Sequence, residues 1–175
     1  MKIVLTALLL LTGSVTAALD GSGKSCTARP NGTFAQNVIY QPDSKHGASY
    51  PRQTQLEDGT LLATAAFSGG SPPFFPIFAS VDGGATWSWR SNLTDQVNHL
   101  GMNAQPALAV LPFAIGDYPA GTVLASGNSW GPTTNIDLYA SLDKGFTWKF
   151  VSNVARGSRP GTKNGNPCIW EPFIL

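Results

Sequence analysis

An octapeptide that occurs twice constrains the fold of this chain more than any other feature. Residues 80–87 read SVDGGATW and residues 141–148 read SLDKGFTW, so both match the pattern S-x-D-x-G-x-T-W. At ordinary residue usage, one such match has odds on the order of one in a million per window. The chain therefore contains an internal repeat. Its two octapeptides begin 61 residues apart, which fits a repeated unit of several strands with long loops.

Each octapeptide has the chemistry of a hairpin turn. The Asp side chain can accept hydrogen bonds from backbone N–H groups in the turn, and the Gly permits positive φ at no steric cost. The Trp can bury a large apolar surface beside the turn. We therefore predict a structural role for ten residues: Ser80, Asp82, Gly84, Thr86, Trp87, Ser141, Asp143, Gly145, Thr147 and Trp148. Arg90 and Lys149, which follow the two tryptophans, are expected to be solvated.

Three further segments recur in phase with the octapeptides. They centre on Tyr50-Pro51, Gln105-Pro106 and Glu171-Pro172. We interpret them as the first and innermost strands of successive repeats, which places Tyr50, Gln105 and Glu171 at equivalent positions. Arg52 lies two residues after Tyr50 and so shares its strand face.

The octapeptides resemble the Asp-box repeat of sialidase-like β-propellers. The resemblance implies an all-β fold, a partial β-propeller with two blades plus the first strand of a third, from a six-bladed parent. It also implies that the boxes lie on the outer rim, away from the active site. Residues 18–175 are interpreted as the N-terminal part of such a propeller. Because a propeller needs at least four blades, residues 18–175 alone are expected to be poorly stable.

Within that fold, the chain looks like the fungal exo-α-1,5-L-arabinanases. The resemblance is carried by Tyr50-Pro51-Arg52, by the two boxes and by residues 167–173, PCIWEPF. Those proteins are secreted glycoside hydrolases that use two glutamates and retain configuration. The resemblance implies that Glu171 is the general acid/base, with nucleophile as the alternative role. It implies an oligosaccharide or polysaccharide substrate and no cofactor.

The residues around Glu171 indicate a catalytic carboxyl group independently of the resemblance. The chain has only one other glutamate, Glu57, which lies in the turn Glu57-Asp58-Gly59. The apolar neighbours of Glu171 predict an enclosed carboxyl group, whose ionised form is disfavoured, as suits a general acid. A buried pair with an arginine between blades is the alternative. Retaining glycosidases need two carboxyl groups about 5 Å apart, so the chain by itself is expected to be inactive.

Four residues are predicted to contact substrate: Arg52, Tyr50, Gln105 and Trp170. Arg52 has an equal alternative as an inter-blade ion pair. Tyr50, Trp170 and Trp130 could stack on sugar faces, although core packing is the alternative for both tryptophans. His46 and His99 have no ligand at metal spacing, so no metal is assigned.

Two other function classes stay open at this stage. A sialidase uses a tyrosine nucleophile and an arginine cluster. Its first arginine precedes an apolar residue and proline, whereas here Pro51 precedes Arg52. Without Lys2 the chain has equal numbers of basic and acidic residues, and this zero net charge also counts against a sialidase. A non-catalytic, carbohydrate-binding propeller is the other alternative, and in it Glu171 would have no reaction to support.

The N-terminus predicts secretion. Ile3 to Leu11 is apolar apart from Thr6, and Val15-Thr16-Ala17 fits a cleavage signal, so residues 1–17 are interpreted as a signal peptide. The apolar run is shorter than the roughly 20 residues that span a bilayer. A membrane anchor is the alternative.

Secretion makes three other features interpretable. Asn31 and Asn92 begin glycosylation acceptor tripeptides. Cys26 and Cys168 are the only cysteines; they could form a disulfide, or pair elsewhere, or stay free. Without Lys2 the chain has ten basic and ten acidic residues, which excludes nucleic acid and anionic membranes as partners. A monomer is expected for the full-length protein.

Overall fold

The computed structural model describes residues 37–161, 163, 165 and 167–174, and within these ranges the fold is all-β. The predicted signal peptide, Cys26 and Asn31 lie outside them. The eight strands are β1 Gly47–Gln55, β2 Leu61–Ser68, β3 Phe75–Ser80, β4 Ser88–Leu93, β5 Ala104–Val110, β6 Val123–Trp130, β7 Thr134–Ser141 and β8 Lys149–Gly157. No helix in the described ranges is long and apolar enough to cross a bilayer.

The strands form two four-stranded antiparallel sheets, in the orders β1-β2-β3-β4 and β5-β6-β7-β8. Within each sheet, every strand pairs with its neighbour in sequence, as in the blades of a propeller. The first sheet packs on the second through β1 and β2 against β5. The predicted all-β architecture with two blades is therefore confirmed. Each blade contains one copy of the repeat.

Two apolar clusters cover opposite faces of the second sheet. On β6, Val123 and Ala125 belong to the cluster between the blades, whereas Leu124 belongs to the other. Alternate residues of a strand point to opposite faces, so both faces of this blade are covered. Ile174 packs against this second cluster, the one that contains Leu124. The third repeat segment therefore lies on the face of the second blade that is turned away from the first.

One glycine allows the two blades to approach closely. A Cβ atom at Gly127 would overlap the ring of Phe75, which is fully buried between the blades. Only a residue without a side chain fits against that ring, because glycine permits such close approach of backbone to a neighbouring group. Gly127 therefore sets how β6 packs on the first blade.

The first octapeptide forms the predicted hairpin turn, between β3 and β4. The hydroxyl of Ser80 donates to Asp82 Oδ1 at 2.7 Å and accepts from the N–H of Gly84 at 2.8 Å. Asp82 also accepts from the backbone N–H of Thr86 at 2.9 Å and from the Thr86 hydroxyl. Side-chain oxygens thus satisfy the backbone donors of the turn, as the pattern predicts.

The second octapeptide repeats this network between β7 and β8. Ser141 donates to Asp143 at 2.7 Å and accepts from Gly145 N–H at 2.7 Å. Asp143 accepts from Thr147 through its N–H at 2.8 Å and its hydroxyl at 2.6 Å. These four hydrogen bonds occur in both copies, which supports a structural role for the positions that the two octapeptides share.

The two tryptophans differ in what they contact. Trp87 is half-buried and donates to Gly84 O in its own turn at 3.1 Å. Trp148 is buried and donates at 3.2 Å to Ser91 of the first blade. Ser91 in turn donates to Gly145 O at 2.6 Å. The second turn therefore joins the two blades through side-chain hydrogen bonds.

Arg90 is a second link between the blades. Its guanidinium donates to Lys144 O at 2.7 Å and lies 4.5 Å from the centre of the Phe146 ring. The prediction that Arg90 is solvated is wrong, because β4 runs beside the octapeptide turn of the next blade. Lys144 also forms an ion pair with Asp58 at 2.8 Å. Lys149 is exposed, as predicted.

Acid should weaken these turns. Hydrogen bonds from Thr86 lower the pKa of Asp82 to about 2. Burial opposes the ionised form of Asp143, but hydrogen bonds from Thr147 and Ser141 outweigh it and lower the pKa of that carboxyl group. A carboxyl group whose pKa is lower in the folded state than its unfolded value of about 3.9 stabilises the fold fully above that value, and this stabilisation is lost as pH falls through the folded pKa. We therefore expect the urea midpoint of a complete propeller that contains these turns to decrease from pH 4 to pH 2.

The Asp82→Asn variant should show a smaller decrease over the same interval, because it keeps the side-chain shape but does not ionise. Urea unfolding followed by circular dichroism at several pH values measures both slopes. Equal slopes for the two proteins would contradict this account of Asp82.

Candidate active site

The three residues that precede the in-phase prolines share an unusual backbone conformation. Tyr50, Gln105 and Glu171 have φ values of 51°, 57° and 49°. Only a few per cent of non-glycine residues have positive φ. The ladder also shifts register at the first two, between Ser49 and Arg52 in β1 and across residues 104–107 in β5. Such bulges redirect side chains and are common next to active sites. The repeat in the sequence located these residues but did not predict their conformation.

The bulged positions and the octapeptide turns lie at opposite ends of the sheets. In the first blade Ser49 pairs with Ala66, whereas at the other end Gln55 pairs with Leu61, and Leu61 pairs with Ser80. Asp82 is therefore far from the residues that precede the prolines. Glu57 follows Gln55 and lies at the end of the octapeptide turns as well.

Gln105 and Glu171 are in contact. Gln105 Nε2 donates to Glu171 Oε1 at 3.4 Å, and the backbone N–H of Glu171 donates to Gln105 Oε1 at 3.1 Å. Gln105 is buried, whereas Glu171 is exposed. The second and third in-phase segments thus lie side by side, joined by the residues at their equivalent positions.

Asn128 is part of this cluster, although the sequence analysis did not identify it. Its Nδ2 donates to Gln105 Oε1 at 2.8 Å, its side chain is fully buried, and its Oδ1 has no hydrogen-bond partner among the described residues. The sequence repeat contains a signal that could have identified Asn128. When residues 59–63 are aligned with residues 121–125, Asn128 stands where the first blade has Ala66. Both residues are buried, so a polar side chain at this core position needed a partner.

The predicted enclosure of Glu171 by apolar neighbours is wrong for the described residues. Its side chain is exposed, and Phe173 is 80% exposed. Neighbours along an extended segment point in different directions, so their apolar character does not enclose the residue between them. Within the described part of the chain, Glu171 also forms no ion pair with an arginine. It is an open carboxyl group held on one side by Gln105.

Trp170 lies next to Glu171 and is 40% exposed. It packs against Trp130 with ring centroids 5.7 Å apart and planes at 83°. Trp130 is anchored, since its backbone N–H donates to Asn103 Oδ1 at 2.7 Å. The pair places a partly open aromatic ring beside the carboxylate.

Tyr50 and Arg52 lie on β1 and are exposed. Arg52 donates to the carbonyl of Pro51 at 3.0 Å. Among the described residues, neither side chain hydrogen-bonds to Glu171, and the inter-blade ion pair considered for Arg52 is not formed. Both side chains are open to a ligand, but the structure does not join them to the Gln105–Glu171 pair.

Two buried carboxylates fix the loop between β4 and β5. Burial raises the pKa of Asp95, but hydrogen bonds from the Ser129 hydroxyl and from backbone N–H groups outweigh it, and the pKa is lowered overall. Burial is also the main cause that raises the pKa of Asp137, although Asn153 and Asn98 donate to it at 2.8 and 2.7 Å. Both carboxyl groups are satisfied by donors, so we assign them a structural role. Sequence reasoning missed them.

The remaining predicted sites are only partly described. Cys168 forms no disulfide with another described residue, and its Sγ lies 3.3 Å from the Thr134 hydroxyl; because Cys26 lies outside the described residues, the disulfide between the two stays a prediction. Asn92 is exposed on β4 and accepts from Trp89 Nε1 at 2.9 Å. No group of three or more potential metal ligands occurs in the described ranges.

These features define a protein of the β-propeller class with a carboxylate beside the bulged end of β5. Comparison with solved structures shows which propellers it resembles. The GH93 alpha-L-arabinofuranosidase of Fusarium graminearum in complex with arabinobiose matches with 43% identity and a TM-score of 0.75 over 78% of this chain. The alpha-L-arabinanase of Penicillium chrysogenum complexed with arabinobiose matches with 42% identity and a TM-score of 0.75, also over 78%. The predicted resemblance to fungal arabinanases is confirmed.

The match covers only part of the solved proteins. The chain spans 40% of the Fusarium enzyme and 41% of the Penicillium enzyme. A structure of the Fusarium enzyme with an iminosugar inhibitor gives the same picture, at 43% identity, a TM-score of 0.76 and coverage of 78% and 40%. No protein-family model and no curated protein matches the chain.

Proposed function

We propose that this chain forms part of a secreted, retaining glycoside hydrolase that releases products from the ends of 1,5-linked arabinan, with Glu171 as general acid/base. One observation carries the proposal: the chain is 42–43% identical to enzymes whose structures contain arabinobiose, and it presents an open carboxyl group beside Gln105, where β5 bulges. The hydrogen-bonded turns support the assignment of the octapeptides as Asp-boxes.

The second carboxyl group of the reaction lies outside this chain in the proposal. Retention needs a nucleophile about 5 Å from the acid/base. Glu57 is the only other glutamate, and it lies at the end of the first blade that is opposite to Tyr50. The chain alone should therefore hydrolyse nothing.

The side chains around Glu171 suggest how a sugar would be held. Trp170 offers apolar area to a furanose ring. Tyr50 and Arg52 offer an exposed phenol and guanidinium on β1, which packs against β5, and in the proposal they bind hydroxyl groups of the same substrate. The signal peptide and glycosylation of Asn92 fit a secreted enzyme and are part of the proposal.

A hybrid enzyme tests this function. Residues 37–174 of this chain replace the matching part of the Fusarium enzyme, which supplies the rest of the propeller. We expect the hybrid to release arabinose or arabinobiose from linear 1,5-arabinan and to leave a sialoside intact. Chromatography of the products measures both reactions. A folded hybrid that cleaves the sialoside, or that binds arabinan without cleaving it, would contradict the proposal in favour of a sialidase or of a sugar-binding propeller.

A further inference from the structure

Gln105 is less accessible to substrate than its position in the sequence repeat predicts. Its side chain is 5% exposed, whereas the equivalent Tyr50 and Glu171 are open to solvent. Both ends of its amide are also engaged. The oxygen accepts from Asn128 Nδ2 and from the backbone N–H of Glu171, and the nitrogen donates to the Glu171 carboxylate.

Its neighbours determine which way the amide of Gln105 points. The oxygen and nitrogen of a glutamine are distinguished by their hydrogen-bond partners. The backbone N–H of Glu171 can only donate, so the oxygen of Gln105 must face it, and Asn128 then presents its NH₂ group to the same oxygen. The NH₂ group of Gln105 is then directed at Glu171 Oε1, and an ionised carboxylate can only accept.

We propose that Gln105 is a positioning residue for the Glu171 carboxyl group and that Asn128 supports the orientation that the Glu171 N–H imposes on Gln105. The inference rests on the proposed role of Glu171. Gln105 binds Glu171 at two points, the backbone N–H and the side-chain carboxylate. The backbone bond supports a segment whose φ at Glu171 is 49°, and the side-chain bond selects one position for a carboxyl group that is otherwise exposed.

The Gln105 Nε2 to Glu171 Oε1 distance of 3.4 Å fits such a role. Catalytic hydrogen bonds are often long without substrate and shorten in the complex. A small displacement of a reacting group lowers the rate strongly, because the reaction requires aligned atoms about 3 Å apart. Gln105 therefore acts on the turnover rate through Glu171 and not through the sugar.

The test uses the arabinan-cleaving hybrid with three substitutions. Gln105→Met keeps the side-chain length and removes both hydrogen-bonding ends. Gln105→Glu keeps an acceptor for Asn128 and replaces the NH₂ donor with an oxygen. Gln96→Met is the matched control, since Gln96 also donates to one backbone group (Trp148 O, 2.9 Å) and accepts from another (Phe150 N, 3.1 Å), in contacts remote from Glu171.

We expect Gln105→Met to lower kcat by roughly ten- to a hundredfold with KM within about twofold of the unsubstituted hybrid. Gln105→Glu should show a similar loss at neutral pH and a partial recovery of kcat on acidification, because its new carboxyl group, once protonated, again offers a donor to Glu171. Gln96→Met should lower thermal stability and leave kcat unchanged.

Three outcomes would overturn the inference. An increase in KM with unchanged kcat would make Gln105 a substrate contact. Unchanged kcat and KM in either folded Gln105 variant would make it a purely structural residue. A loss of kcat without recovery in acid for Gln105→Glu would show that the NH₂ donor is not what matters. Failure of the proposed function is distinguishable, since the unsubstituted hybrid would then not cleave arabinan.

Discussion

Glu171→Gln in the arabinan-cleaving hybrid is expected to lower kcat by a factor of about 100 or more. A positioned general acid contributes roughly that much to the rate, and glutamine has the same shape but no acidic proton. Because Gln105 Oε1 accepts from the backbone N–H of Glu171, that contact should survive the substitution and keep the segment in place. The loss should therefore come from chemistry and not from misfolding.

Steady-state kinetics on linear arabinan, with circular dichroism to confirm folding, measures the effect. Glu57→Gln is the matched control, since Glu57 is the only other glutamate in the chain and lies in the β1–β2 turn, at the far end of the first blade. It should leave kcat unchanged. A Glu171→Gln hybrid that retains a near-normal rate would show that the acid/base is a different residue.

Trp148→Ala should have the largest effect on stability, a decrease of about 3–5 kcal/mol in the free energy of unfolding. Trp148 is 7% exposed and belongs to the apolar cluster between the blades. Its removal leaves a cavity there and also removes the hydrogen bond from its Nε1 to Ser91. The substitution therefore weakens the packing of one blade on the next.

Urea unfolding of the hybrid measures this decrease as a shift in midpoint. Trp89→Ala is the matched control, because Trp89 is 61% exposed on β4 and its indole contacts Asn92 on the same strand. It should change the unfolding free energy by less than about 1 kcal/mol. Equal shifts for the two variants would contradict the assignment of Trp148 as the link between blades.

The two blades hold together through side chains that are distant in sequence. Ser91 and Arg90 on β4 contact the turn of the second blade, at Gly145 O and Lys144 O. A comparable bond occurs at the first turn, where Asn37 Nδ2 donates to Gly84 O at 2.9 Å. The repeated glycine carbonyl is thus a contact point between an octapeptide turn and the chain segment that precedes its blade.

The sequence by itself predicted the turns, the two blades and the equivalence of Tyr50, Gln105 and Glu171. These are local or periodic properties. The donors and acceptors of a turn lie within a few residues of one another, so the pattern S-x-D-x-G-x-T-W contains all the partners that it needs. Periodicity then identified equivalent positions without any knowledge of how the blades pack.

Only the tertiary structure decided what those equivalent residues touch. Gln105 and Glu171 are 66 residues apart, and Asn128 reaches Gln105 from another strand of the same blade. Arg90 was predicted to be solvated and instead contacts the next blade. Such contacts depend on how bulged strands and neighbouring sheets are placed in space. Burial and hydrogen bonding therefore distinguish the open carboxylate of Glu171 from the buried amide behind it, which the repeat alone treats as alike.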